Sequence, residues 1–508
     1  MGNPPDLSSL TSGRLLAKNT ILNLLGQGAP LLAALFAIPA IISGLGMERF
    51  GVLALVWVFI GYFSLFDLGM GRSLTHSLAG KLGAGQLEEI PSLVWTALGI
   101  LFLLGLLGML GGLLLTPLLV HTLLKIPPEL WGESLDAFRL IAASIPIVIS
   151  TAGLQGILEA YQRFGILNAV RIPQGIFNFL GPLIVMMFSS SLYFVVAVLV
   201  TARFVTWLLY LFFCFRVIPD LSHRFSLKRA LVRPLVVFGS WITVSNIVSP
   251  LMVYFDRFLI GVMMGTTAVA YYATPYEMVT RLRAIPVALV GVLFPAFAAT
   301  HKHDPSRTAY IFTRSVSYTF LIMFPLVLLV VTFAREGLEL WLGADFAHNS
   351  AFVLQILATG VLLNSLSRFP HALVQGAGRP DLTAKLHLAE LVIYLPMLWW
   401  LTSNYGIIGT AIAWTARVMV DGIFLFLIVL RLLPVNPSSV WRMMVMTGAA
   451  LLMMAIGAQL PHLLMKGLFL LLTLLTFVLV AWFSILAPDE RRMVLRWVKV
   501  VLSPTVTR

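Results

Sequence analysis

Long apolar runs alternate with short polar loops along this chain, about fourteen times in all. The runs predict helices near 15–43, 50–72, 91–119, 137–160, 165–188, 192–215, 234–263, 267–299, 311–334, 350–374, 382–402, 406–432, 440–459 and 462–486. A hydrocarbon core about 30 Å thick takes roughly 20 apolar residues per helix, so each run is long enough to cross it. The expected fold is all-α, a polytopic membrane protein of about fourteen transmembrane helices.

Composition agrees, at 59% hydrophobic and 11% charged, far from the balance of a soluble domain. The formal charge of +13, from 34 Lys+Arg against 21 Asp+Glu, needs placing before it is given a partner. Alternate loops differ in sign. One set carries Arg14, Lys18, Lys81, Arg163, Arg171, Arg216, Arg224, Lys228, Arg229, Arg233, Lys302, Arg307, Arg314, Arg379, Lys385, Arg431 and Arg442, and the tail adds Arg491, Arg492, Arg496, Lys499 and Arg508. The other holds little beyond Arg49, Lys125, Arg335 and Lys466, diluted by Glu48, Glu129, Glu133, Glu336 and Glu339. By the positive-inside rule the first set is cytoplasmic, both termini lie there, and the helix number is even. The charge is thus mostly an orientation signal, and nucleic acid is not an expected partner. The first thirteen residues lack the basic start of a secretory signal, so the first helix reads as retained.

No loop is long enough for a folded catalytic or nucleotide-binding module, and no GxxxxGK[ST] run occurs. The single cysteine, Cys214, and nine histidines without metal spacing predict neither metal nor cofactor. The chain does not read as an enzyme. The two halves echo each other: GLGMERFGVLAL at 44–55 aligns with MMGTTAVAYYAT at 263–274, Gly46 on Gly265, and Pro30 falls within one residue of Pro250. We read two six-helix lobes around a central cavity, residues 1–215 and 234–432. A basic cytoplasmic linker at 216–233 joins them, and an extra helix pair with a basic tail follows at 433–508. An even number of helices per repeat makes the halves parallel about the membrane normal. Pro30 and Pro250, inside the first helix of each half, are candidate kinks.

Charged groups within apolar segments cost about 2.5 to 3.5 kcal/mol each, so their presence asks for a reason. Asp67 and Arg72 in FDLGMGRS are five apart and cannot pair on one helix; a headgroup position competes with a cavity position for both. Asp256 and Arg257 in FDRFLI form a polar wedge inside helix 7. Glu277 and Arg281 are four apart and can bridge, which leaves Arg283 without a helical partner, and Arg417–Asp421 repeats that spacing. Within or near spans lie Arg72, Arg139, Arg203, Arg257, Arg281, Arg283, Arg368 and Arg417, against Asp67, Asp256, Glu277, Glu390 and Asp421. The surplus is arginine, which keeps its charge when buried and offers a planar fork suited to phosphate oxygens.

The segments FDLGMGRSLTHSLA and DRFLIG, the second followed by AVAYYATPYEM, resemble the polysaccharide flippases of the multidrug/oligosaccharidyl-lipid/polysaccharide exporter superfamily, the Wzx-type O-antigen and exopolysaccharide transporters. The resemblance runs through about residue 486. It implies two lobes forming a V-shaped cavity that opens alternately to each side of the bacterial inner membrane. The implied cargo is an oligosaccharide on a polyprenyl pyrophosphate, moved to the outer leaflet with coupling to an H+ or Na+ gradient. Membrane lipids and the polysaccharide polymerase or chain-length machinery are implied partners. Basic cavity residues serve the pyrophosphate in similar proteins, and Arg257, Arg283, Arg72 and Arg281 match by position here, with Asp67 and Asp256 as candidates for ion coupling. A drug or organic-cation antiporter of the same superfamily and a peptidoglycan lipid-precursor flippase are the alternatives.

Overall fold

A computed structural model describes residues 13–63, 67–123, 126–486 and 490–492. Every regular element in it is helical: α1 Gly13–Leu45, α2 Met47–Phe63, α3 Met70–Gly83, α4 Ile90–Leu118, α5 Trp131–Ala160, α6 Phe164–Met186, α7 Leu192–Val217, α8 Arg229–Met264, α9 Thr266–Thr280, α10 Ala284–Thr300, α11 Pro305–Thr332, α12 Ala334–Leu342, α13 Ala344–Gly376, α14 Pro380–Leu432, α15 Pro437–Gln459 and α16 Leu463–Val480. Twelve candidate membrane spans emerge among the described residues, against about fourteen expected. Two departures account for the difference. The predicted helix at 50–72 is split into α2 and α3, and the predicted helices at 382–402 and 406–432 form one element.

Both departures have local causes. At the first, Asp67 takes two backbone amides, from Gly69 at 2.8 Å and Gly71 at 3.2 Å. Leu68 and Gly69 then adopt φ of 49° and 67°, which ends one helix and starts another. At the second, 53 residues at about 1.5 Å each run to about 80 Å, far beyond a 30 Å core. The non-helical Gly406 (φ 59°, ψ −141°) breaks the run, and the chain doubles back so that the Thr402 and Thr410 hydroxyls meet at 2.9 Å. α9 and α10 are separated in turn by a single 3-10 turn, Arg281–Arg283. The second helix of each half is therefore interrupted near its middle.

Helices α1–α7 pack mainly on one another, as do α8–α14, with α15 and α16 laid against α11. The two groups touch where α3 meets α8 and α10 and where α1 meets α10. These contacts cluster toward the face of the cation-rich loops. Asn23 Nδ2 donates to Ala288 O at 3.1 Å, Gln162 Nε2 to Val292 O at 3.1 Å, and Ser73 Oγ to Leu235 O at 2.9 Å. Gly83 and Ala299 pack so closely that a Cβ at position 83 would lie 2.2 Å from the Ala299 oxygen. Toward the other face, α2 packs on α1, α5 and α7, and α9 packs on α8, α13 and α14. Those half-helices stay within their own group, and the halves join at the cation-rich end.

Candidate functional site: an arginine trio between the helix groups

The interrupted helices place two helix N-termini beside this junction. α3 begins two residues before Arg72, and Arg283 stands at the N-cap of α10. The first amides of a helix have no carbonyl partner and carry part of the macrodipole's positive end. At α3 the Asp67 carboxylate takes the Gly69 and Gly71 amides, and at α10 the backbone runs on from α9 through the 3-10 turn, so the positive charge at the junction is that of the guanidinium groups themselves. Arg368, from the interior of α13, completes the group and lies within electrostatic range of both Arg283 and Arg72.

Arg72 and Arg283 hydrogen-bond to neutral groups. Arg72 Nη1 donates to Gln375 Oε1 at 3.1 Å, and its Cζ stands 5.9 Å from the Phe294 ring centroid. Arg283 Nε donates to Thr280 O at 3.3 Å. The buried Nε of Arg368 has no hydrogen-bond partner. None of the three forms an ion pair among the described residues, whereas their neighbours do. Arg257 reaches Glu277 at 2.6 Å and lies over the Tyr276 ring, and Arg281 is 3.9 Å from the same carboxylate. Of the four arginines expected to serve a phosphate, the structure thus groups Arg72 and Arg283. It sets Arg257 and Arg281 around Glu277 and adds Arg368.

A polar seam leads from the trio into the interior of the second helix group. Gln375 Nε2 lies 3.4 Å from His371 Nε2, and the His371 ring stacks on His387 at 5.5 Å. His387 Nε2 is 3.9 Å from Asp421 Oδ1, and Arg417 Nη1 is 3.7 Å from Glu390 Oε2. The expected Arg417–Asp421 bridge gives way to this cross-hairpin arrangement, because the fold-back at Gly406 brings residues 387–394 against 414–421. Farther along, the fully buried Asp256 accepts from Tyr272 Oη at 3.2 Å and from Tyr394 Oη.

His387, Glu390 and Asp421 offer ligand atoms that all lie within 4.8 Å of one another. Both Glu390 carboxylate oxygens and Asp421 Oδ1 lack a hydrogen-bond donor. A carboxylate pair buried this way needs a proton or a cation between its oxygens. Among the described residues, these three form the group able to hold an ion. Asp67, expected in that role, spends its oxygens on the α3 backbone. Pro30 lies in α1 where Gly175 of α6 approaches it. Pro250 lies within α8, and its side chain is outside the described residues.

Arg368 is counted among the charges within spans but, like His371 and Gln375, is not among the residues expected at the site, although their i, i+3, i+7 spacing puts them on one face of α13. The same holds for His387 and Glu390, three apart on α14. A polar stripe inside an apolar run was the available signal.

Residues 16–301 match the polysaccharide biosynthesis protein family. The chain is 32% identical over 408 residues, 80% of its own length and 96% of the relative's, to a Shigella flexneri protein named for O-antigen transport. It is 25% identical over 219 residues, 42% of this chain and 43% of the relative, to the Escherichia coli lipopolysaccharide biosynthesis protein WzxC. Among solved structures, an outward-facing multidrug resistance MATE family transporter of the MOP superfamily shares the fold with a TM-score of 0.70 at 17% identity, covering 82% of this chain and 95% of the other. Two interrupted helices joined at one face, a full-length relative and a family match over more than half the chain converge: the protein is a multi-pass integral membrane protein and belongs to the polysaccharide biosynthesis protein family.

Proposed function

We propose that the protein is a flippase that carries a polyprenyl-pyrophosphate-linked oligosaccharide from the cytoplasmic to the outer leaflet of the bacterial inner membrane. The observation that carries this reading is the trio Arg72, Arg283 and Arg368, in no ion pair among the described residues and set between the helix groups. A pyrophosphate crossing oil needs its charge met by fixed donors that are not already spent on acids. The named relatives in O-antigen transport and lipopolysaccharide biosynthesis support the cargo class.

The cation-rich loops, by the positive-inside rule, face the cytoplasm with both termini. In this conformation the halves close at that face, and alternating access then requires the α3–α10 junction to part and the opposite halves to meet. The charges inside the second group also support gradient coupling. A proton or Na+ held by His387, Glu390 and Asp421 would alter the charge at one end of the seam whose other end holds Arg72. Asp256, Glu390 and Asp421 lie within the second group, and the buried acid beside the junction, Asp67, accepts from two backbone amides, which weighs against an organic cation as cargo. Residues 1–215, 234–432 and 433–508 serve as first lobe, second lobe and extra pair in this scheme.

The test is reconstitution. Proteoliposomes given a fluorescent oligosaccharide on polyprenyl pyrophosphate are expected to move it across the bilayer faster with an imposed H+ or Na+ gradient than without. Translocation no faster than in protein-free liposomes under either gradient would sink the proposal.

A further inference from the structure

Away from the trio, α11, the start of α15 and the end of the α16 segment enclose a cavity of about 530 Å3. Three guanidinium groups from three separate elements reach it: Arg314, Arg442 and Arg491. Its apolar wall is made by Phe320, Met446 and Phe483. Backbone carbonyls orient two of the arginines without neutralising them. Arg442 Nη1 donates to Ser484 O at 2.9 Å, and Arg491 donates to Leu486 O at 3.1 Å and Phe483 O at 2.9 Å. Arg314 Nη1 lies 3.4 Å from Glu490 Oε2 and over the Tyr310 ring, and Glu490 also accepts from Tyr318. Among the described residues, one carboxylate stands against three guanidinium groups, an excess of two positive charges.

The position of the cavity narrows what such a charge is for. Arg314 lies on α11 shortly after the loop at 301–304, Arg442 on the second turn of α15, and Arg491 just past the α16 segment, so all three belong to the cation-rich face. Tyr310, Arg314 and Ser317 line the cavity on the side of α11 opposite Phe312, Val316 and Met323, which sit in the core of the second helix group. These three polar lining residues of α11 thus face away from that core, and no residue of the trio lines the cavity. It has a cationic end on the side of the cation-rich loops and an aromatic and thioether wall, a two-ended shape that matches a phospholipid. The residues that follow, 493–508, contain Arg496, Lys499 and Arg508 and no acidic side chain. Together with Arg491 and Arg492 they make a basic segment next to the last membrane helix, a pattern that draws anionic lipid.

We infer that this cavity is a binding site for an anionic phospholipid, the phosphate between Arg314, Arg442 and Arg491 and the first acyl carbons along Phe320, Met446 and Phe483. The site is independent of the cargo reading, since it needs no residue of the trio.

Native mass spectrometry of the full-length protein in detergent tests it, with dioleoyl phosphatidylglycerol, dioleoyl phosphatidylcholine, inorganic phosphate and undecaprenyl pyrophosphate as probes. At about fivefold per arginine near a lipid surface, two net charges predict roughly 25-fold preferential retention of phosphatidylglycerol over phosphatidylcholine. Arg442→Ala should lose about fivefold of that preference, and Arg442→Lys should keep it. Ser317→Trp, which fills the cavity without altering charge, should reduce retention to the level of the zwitterionic lipid. Equal retention of the two phospholipids by the parent protein would overturn the site. So would displacement by inorganic phosphate at matched concentration, which would mark an anion site without a lipid. Preferential displacement by undecaprenyl pyrophosphate would reassign the cavity to cargo and equally overturn the inference.

Discussion

Replacing Arg283 or Arg368 with alanine is expected to slow translocation of the lipid-linked oligosaccharide roughly 10- to 100-fold. Each variant removes a hydrogen bond to a charged group, worth about 1.5 to 3 kcal/mol, and about 1.4 kcal/mol corresponds to a factor of ten. Arg281→Ala serves as the contrast. Its side chain is 72% exposed and beside Glu277, and an exposed pair of this kind is worth about 0 to 1 kcal/mol, so transport should stay within about twofold. The comparison separates a specific trio from a merely cationic surface. Initial rates in proteoliposomes, normalised to inserted protein, provide the measurement. Equal losses in all three variants would show that net charge alone matters and that the grouping does not.

The second large effect concerns stability. Arg417 is the guanidinium nearest Glu390, and their side chains are 8% and 5% exposed. Removing one partner of a buried pair strands the other charge, at about 3 to 5 kcal/mol. Arg417→Leu should therefore lower the unfolding midpoint strongly in detergent, and Arg417→Leu with Glu390→Leu should recover most of the loss. Recovery is expected because an apolar pair of similar volume replaces a buried ion pair with little cost or a gain. A single variant as stable as the parent protein would mean that Glu390 is neutral in the fold and that Asp421 shares its proton. The two expectations bear on different ends of the seam, so each can fail without the other.

The helical layout was legible because a membrane segment must satisfy its backbone internally and show lipid an apolar surface, and both demands write themselves into hydropathy. The count was less legible. Asp67 looked like a charge at a helix end, but its carboxylate caps α3 and is part of what splits that helix from α2. Gly406 sits between apolar runs that hydropathy separates and the fold-back joins into one element. The site was read in part: Arg72 and Arg283 stood out as arginines in apolar surroundings, and Glu277 was foreseen as a partner for Arg281. That Glu277 would also take Arg257 was not readable, because those two lie on α9 and α8, twenty residues apart across a turn. Arg368 was counted but not chosen, since nothing along α13 says which of its faces meets α3. The Arg417–Asp421 pairing followed from spacing on one helix, and the return of α14 on itself offered Arg417 a carboxylate from the other arm. Local periodicity tells which residues share a face; it does not tell what that face meets.

The central claim is that guanidinium groups from both helix groups meet the same phosphate. Electron cryomicroscopy of the full-length protein with a polyprenyl pyrophosphate bound tests this most directly. The account predicts phosphate density within hydrogen-bond distance of at least two of Arg72, Arg283 and Arg368, with one contact from α3 and one from the second group. Density at the Arg257–Glu277 pair, or at headgroup depth with the trio untouched, would contradict it.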